Sequence, residues 1–319
     1  VKIAMADYKG AIKDFDALLE KDKHDKDVYN NRADAKAAMG DYDGALFDYH
    51  IAIGMDVNNK ETFYKRSNTK IAMSDYKGAL EDLDVVIKID DKDKVAYNKR
   101  GIVKAALKNH IEAIKDFEMA IKLDEDYQEA YYNKGLLRVT RNNYLGAIVD
   151  FDKSINLYKG HILSYFNRAN ARAGIGDYEG AIEDFDYSIS SGFDNASVYY
   201  HRSKAFKYMK NYAKAIEDVS TALRKDPNYA NALYERSELR ILAGNYKSAL
   251  EDINKYVALR LKDDKGYALR GEIRTLLNQN AAAIEDFDQA IAINNKDQES
   301  YLKRGQVKAK LQKHEAAIA

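Results

Sequence analysis

Ten alanines recur at one fixed interval of 34 residues: Ala11, Ala45, Ala79, Ala113, Ala147, Ala181, Ala215, Ala249, Ala283 and Ala317. No insertion or deletion disturbs the count. A period of this size marks a repeat array, in which each unit buries its apolar face only against its neighbours. Such a chain has no single closed core around a single cleft. Its function is therefore a question of which surface it offers.

Charge sharpens the question. Lys+Arg and Asp+Glu both total 51 in 319 residues, so the net charge is zero although 32% of the chain is charged. Interleaved charge of both signs argues against nucleic acid held by bulk electrostatics, and against a polybasic membrane surface. Cysteine is absent, which removes disulfides, thiolate metal sites and a cysteine nucleophile and leaves the compartment open. No apolar run reaches the length of a membrane span, so direct membrane insertion is not expected. In the repeat phase Val1-Lys2 corresponds to Val103-Lys104, the middle of a first helix, and Ala319 falls early in a second one. Ends inside helices lack the polar caps of an array terminus, and the sequence reads as a segment of a longer protein.

Residues 162–195 show one period. Ile162 to Gly174 carries Tyr165, Ala169 and Arg172 at helical spacing. Gly176-Asp177 marks a turn, and Ala181, Phe185 and Ile189 then follow at i, i+4 and i+8 from Tyr178 onward. Gly192 and Asp194-Asn195 break that second helix. With one proline (Pro227) and no alternating β-branched run, the chain is predicted to be all-α, an αα-hairpin repeated.

The motif Tyr165-x-x-Arg168-Ala169 followed by Asp177-Tyr178-x-Gly180-Ala181-Ile182-x-Asp184-Phe185 resembles the tetratricopeptide repeat, in a wording similar to bacterial members of that family. The resemblance covers the whole chain. It implies a right-handed α-solenoid of eight full units (26–59, 60–93, 94–127, 128–161, 162–195, 196–229, 230–263, 264–297) between partial units 1–25 and 298–319. Counted from these starts, position 8 is small throughout: Ala33, Ser67, Gly101, Gly135, Ala169, Ser203, Ser237, Gly271 and Gly305. Position 4 is aromatic except at Leu233. Departures from the family pattern are the missing unit-closing prolines and a weakened turn at Asn278-Gln279-Asn280.

Position 7, usually apolar in the family, is basic in every unit, from Arg32 to Arg304; position 23 is Asp, from Asp14 to Asp286. Position 11 adds a second cation except at Phe206. Positions 7 and 23 stand equally far from the turn between antiparallel helices, so they face one another at one height. This predicts a ladder of neutralised pairs that sets helix register, in preference to a polyanion-binding ladder.

By the resemblance, positions 2, 5, 6, 9, 12 and 13 line the inner groove. Position 5 carries Tyr64, Tyr132, Phe166, Tyr200 and Tyr234, beside Asn68, Asn98, Asn133, Asn167 and Asn170. Aromatic rings anchor interfaces, and Asn offers donor and acceptor together to an extended peptide backbone. With His201 and Lys204 these are the candidate partner-binding residues. The alternative is that neighbouring repeats cover position 5 and the rings are packing. His201, Lys204 and Lys207 read as locally basic and Glu235 with Glu238 as acidic, which suits a mixed-charge peptide. The family's clamp for a terminal carboxylate is not reproduced: Tyr64, Asn68, Lys99, Glu129 and Asn133 stand where it needs Lys, Asn, Asn, Lys and Arg.

The histidines (His24, His50, His110, His161, His201, His314) fall in no ligand-spaced motif. Gly10, Gly44, Gly78, Gly146 and Gly180 follow the period and are assigned to helix packing rather than to a phosphate loop. No cofactor, metal or catalytic residue is expected. The reading is a non-enzymatic scaffold or adaptor that binds a protein or peptide. An architectural spacer, or the recognition module of an enzyme whose catalytic domain lies outside the segment, remains open beside it.

Overall fold

The computed structural model describes residues 7–318, with side chains described for 7–312. Val1, Lys2, Ala319 and the His314 side chain lie outside the described residues. Eighteen helices and no strand make up the described chain. It divides into two compact blocks, residues 1–161 and 162–319. The first block holds α1 (Tyr8–Lys21), α2 (Lys26–Ala38), α3 (Tyr42–Met55), α4 (Lys60–Ala72), α5 (Tyr76–Ile89), α6 (Lys94–Ala106), α7 (His110–Leu123), α8 (Gln128–Thr140) and α9 (Tyr144–Leu157). The second holds α10 (Ile162–Gly174), α11 (Tyr178–Ser190), α12 (Ala196–Tyr208), α13 (Tyr212–Lys225), α14 (Ala230–Leu242), α15 (Tyr246–Leu259), α16 (Asp264–Leu276), α17 (Asn280–Ile293) and α18 (Gln298–Ile318). Even-numbered helices are the first helices of repeats.

Within each block every helix packs on its chain neighbours, and first helices also meet the next first helix, as α6 meets α8 and α10 meets α12. Each block is thus an all-α solenoid of helix pairs. The periodic alanines make close packing possible: Ala45, Ala79, Ala113, Ala147, Ala181, Ala215, Ala249 and Ala283 are all fully buried. At position 8 the constraint is tighter. A Cβ on Gly101 would lie 2.6 Å from the Phe117 ring, and one on Gly135 2.7 Å from Phe151, so ring and glycine are size-matched across the helix pair.

Between the helices of each repeat the chain turns through one left-handed residue at position 15. Gly40, Gly176 and Gly244 take it, but so do Ser74, Lys108, Asn142, Lys210 and Asn278, with φ between 56° and 62° in those five. The turn at Asn278 therefore keeps its geometry despite the weak sequence. The next residue caps the second helix. Asp41 accepts from the Gly44 amide at 3.0 Å, and Asp7, Asp75, Asn143 and Asp177 do the same to Gly10, Gly78, Gly146 and Gly180. A Cβ on Gly44 would sit 2.3 Å from the Asp41 carboxylate. These glycines clear the cap, and Gly78 and Gly146 also make room for the facing helix, where a Cβ would lie 3.1 Å from Lys70 Cδ or Arg138 Cδ. Helix packing, which the sequence suggested for all five, is thus a secondary constraint at two of them. Where Glu112, Ser248 or Ala282 replaces them, no side-chain cap bond forms, whereas the Lys214 amide keeps a longer one to Asn211 at 3.3 Å. α18 runs on to Ile318 past the place where earlier repeats turn; residues 310–316 are mostly good helix formers and contain neither Gly nor Asn.

The charge ladder is the structural spine of each repeat. Asp48, Asp82, Asp116, Asp150, Asp184, Asp218, Asp252 and Asp286 are each at most 4% exposed. Seven receive a two-point grip from the position-7 arginine of their own repeat, as when Arg168 Nε and Nη2 donate to Asp184 at 2.8 and 2.6 Å. The cations at position 11 add a second contact, such as Arg172–Asp184 at 3.0 Å and Lys36–Asp48 at 2.8 Å. The same arginines reach back to position 25 of the preceding repeat, Arg32 to Asp16 at 2.7 Å and Arg100 to Asp84 at 2.8 Å. The position-4 aromatics support them from below: Arg32 lies 5.4 Å from the Tyr29 ring centre and Arg100 5.3 Å from Tyr97. Two rungs are weaker. Lys134 replaces Arg beside Asp150, and Phe206 removes the second cation beside Asp218. At both, burial outweighs the remaining positive charge and holds the carboxyl above the usual range.

Two outcomes follow. Asp184→Ala removes the buried carboxylate shared by Arg168 and Arg172 and should cost about 3–5 kcal/mol, read as a lowered thermal midpoint; an unchanged melt would refute the ladder's structural role. Lys210, exposed and left-handed at φ 59°, should gain about 1 kcal/mol on Lys210→Gly, measured by urea unfolding.

Candidate functional site

The candidate residues stand on the first helices, which places Tyr64, Asn68, Asn98, Tyr132 and Asn133 in the first block and Phe166, Asn167, Asn170, Tyr200, His201, Lys204 and Tyr234 in the second. Position 5 is half-buried or buried throughout this series. Asn98 is 6% exposed; it accepts from Asn133 at 3.0 Å and donates to the Tyr127 hydroxyl at 3.4 Å. Tyr132 meets His161 edge-on at 4.6 Å. Phe166 packs on Phe193 at 5.0 Å and on His201 at 5.6 Å, Tyr200 on Tyr229 at 5.1 Å, and Tyr234 on Tyr256 at 5.2 Å. Tyr64 packs against the cluster of Phe63, Val86 and Ala96. Tyr132, Phe166 and Tyr200 meet the turn that leads into the next repeat, and Phe166 also meets position 6 of that repeat. Tyr234 packs on position 27 of its own second helix (Tyr256), and Tyr64 against a cluster that includes that position (Val86). The series forms a seam between repeats, and burial pushes the phenols of Tyr64, Tyr200 and Tyr234 up, Tyr200 to about 12.

The asparagines divide. Asn68 is exposed and accepts from Lys99 at 2.9 Å. Asn167 and Asn170 donate back to the carbonyls of Leu163 and Phe166, at 2.8 and 3.0 Å. In the second block Phe166, Tyr200, His201 and Lys204 come together, with the Lys204 ammonium 5.8 Å from the Tyr200 ring centre.

The charge asymmetry read from residues 201–238 is corrected. Burial among rings, with Lys204 adding to it, pushes the His201 imidazole down to about 4, so it is neutral at pH 7. Lys207 is bound to Glu235 at 3.0 Å and to Glu238 at 2.7 Å. The basic and acidic stretches neutralise each other because positions 12 and 9 of successive repeats are neighbours. Lys65–Asp34 at 3.0 Å is a similar pairing between repeats in the first block.

Open space lies further along the same face. In the first block a cavity of about 450 Å³ is lined by Ile102 and Ala105 of α6, Asn133, Leu136 and Leu137 of α8, and the Phe117 ring below. In the second block one of about 300 Å³ is lined by Thr275 and Leu276 of α16, Gln306, Val307 and Lys310 of α18, and Phe287. Both sit at positions 9 to 13 of one first helix and 6 to 13 of the next. Most of the lining residues stand at the positions assigned to the inner groove by the resemblance, although among them only Asn133 was singled out as a binding residue in the sequence. The available signal was at position 17, where His110 and Asn280 stand in place of the tyrosine found at Tyr8, Tyr42, Tyr76, Tyr144, Tyr178, Tyr212 and Tyr246. Among the described residues no His/Asp/Glu group could hold a metal, and no helix is long and apolar enough to cross a membrane.

None of the curated proteins matches the sequence. Two models of the tetratricopeptide repeat do, one over residues 1–56 and 200–264, the other over 95–127 and 264–297. Among solved structures, a tetratricopeptide repeat protein from Parabacteroides merdae is 18% identical, with a TM-score of 0.59 over 82% of this chain and 99% of that one. The APC/C hetero-tetramer Cut9-Hcn1 gives a TM-score of 0.60 at 14% identity, covering 91% of this chain and 56% of that one. YrrB, described as a TPR protein with an unusual peptide-binding site, gives 0.51 at 17% identity over 59% of this chain and 97% of that one. At these identities the structures share the fold. Period, helix pairs and matched models agree: the chain belongs to the tetratricopeptide repeat family.

Proposed function

We propose that this chain is a non-enzymatic scaffold that takes an extended peptide segment of a protein partner along the face of its first helices. The tetratricopeptide fold is in general a scaffold for protein–protein interaction. The observation that carries the finer reading is the apolar cavity between α6 and α8, which opens on that face. A side chain of a bound peptide would bury apolar area there, while the seam at position 5 holds the two repeats rigid beneath it. The pairing of Lys65 with Asp34 and of Lys207 with Glu235 and Glu238 neutralises these charges on the face. Apolar anchoring and backbone hydrogen bonds, rather than long-range attraction, would then set affinity.

Ile102 and Thr140 both line the cavity and are exposed, so they can be changed without opening the core. Panning against displayed random peptides should enrich clones that Ile102→Glu/Thr140→Glu fails to hold by tenfold or more, roughly 1.4 kcal/mol, at unchanged helicity and melting. Equal retention by both proteins, or no enrichment, would turn the reading toward an architectural spacer.

A further inference from the structure

The cavity between α6 and α8 has a particular missing occupant. Position 17 opens the second helix of each repeat and is tyrosine at Tyr8, Tyr42, Tyr76, Tyr144, Tyr178, Tyr212 and Tyr246. These rings lean toward the next repeat. Tyr76 packs on the cluster of Leu83 and Val103, Tyr212 on that of Val219 and Leu239, and Tyr178 stacks on Tyr208 with ring centres 5.0 Å apart. Phe117 and Leu137 occupy the same register as Leu83 and Val103, but there the helix opens with His110. The cluster of Ala113, Phe117 and Leu137 is packed by Ala105 and Ile114 instead. Exchanging tyrosine for the shorter histidine, and the Ile71 of the preceding repeat for Ala105, accounts for the space of about 450 Å³ lined by these residues.

A second observation concerns His110 itself. It lines the cavity, and its Nδ1 is buried without a hydrogen-bond partner. A buried polar atom left in this state costs stability unless a ligand completes it. Asn280 repeats the pattern in the second block: it too replaces tyrosine, its Oδ1 is buried and unpartnered, and a cavity lies over Phe287 and Val307 of that register.

We propose that the His110 niche accepts a tyrosine side chain from the partner peptide, which takes the place that the chain's own tyrosine fills in other repeats. The ring lies over Phe117 against Leu136 and Leu137, and the phenol hydroxyl pairs with His110 Nδ1. Aliphatic side chains would cover the same apolar lining but leave that nitrogen unsatisfied, so the niche prefers a phenol to a plain hydrocarbon. This assignment rests on the peptide-binding reading of the first-helix face and names one residue of the peptide.

The probe is p-cresol, the tyrosine side chain alone, with toluene as the isostere lacking the hydroxyl. Methyl NMR on the whole chain should show p-cresol shifting Ala105, Leu136 and Leu137 with a Kd of about 1 mM, and toluene binding several-fold more weakly. His110→Tyr should refill the niche and abolish those shifts. Ala105→Ile, which restores the residue found in the preceding repeat, should weaken them at least tenfold and covers the case in which His110→Tyr does not fold. Absent shifts at these methyls, shifts that persist in the folded filled variants, or equal affinity for toluene would each overturn the proposal. Peptides retained by His110→Tyr but lost by Ile102→Glu/Thr140→Glu would sink the niche and leave the binding face standing.

Discussion

One carboxylate per repeat is taken out of water, and the rest of the architecture is arranged so that this is tolerable. A buried ion pair contributes little net stability, because desolvation offsets most of the attraction. What it supplies is register. The position-23 aspartate accepts a planar two-point bond that only one helix height and one guanidinium orientation can satisfy, as at Arg236–Asp252 with 2.7 and 2.6 Å. The small residues at position 8 let the helices approach, and the aromatic at position 4 lies beneath the guanidinium.

The family's apolar helix interface is thereby exchanged for a polar one without loss of order. Alanine and phenylalanine pack on one side of the ladder, and ion pairs close the other. The two weakened rungs show how finely the balance is set. With Lys134 in place of Arg, or Phe206 in place of a cation, the carboxyl of Asp150 or Asp218 holds its proton more tightly than an ordinary aspartate. Phe206 keeps a trace of the lost contact: Lys214 from the facing helix lies 5.3 Å from its ring centre.

Much of the fold was legible in the sequence, because everything within one hairpin depends on spacing along one chain. The limits of α10 at Ile162 and Gly174 follow from periodicity and the glycine turn, and the pairing of positions 7 and 23 follows from equal distance to that turn. The candidate site was less legible. Whether Phe166 or Tyr200 faces solvent depends on what a distant part of the chain lays over it, His201 of the next repeat in one case and Tyr229, at the end of its own repeat, in the other. Neither contact leaves a trace in the periodicity. Lys207 and Glu238 likewise look like opposite patches until stacking of the repeats brings them to 2.7 Å. The glycines of the cap were only partly read for a related reason: their main constraint comes from a side chain three residues away, with the facing helix adding to it only at Gly78 and Gly146.

The backward reach of the position-7 arginines changes what counts as one module. Arg32 binds Asp48 of its own repeat and Asp16 of the preceding one, so its contacts span a second helix, the first helix after it and the second helix after that. Cutting the array between 34-residue units severs such a contact at the junction. The smallest piece that keeps an arginine fully bonded has three helices and begins with a second helix. Grafts, truncations and designed extensions of this array are therefore better phased to the arginine than to the alanine that first announces the repeat.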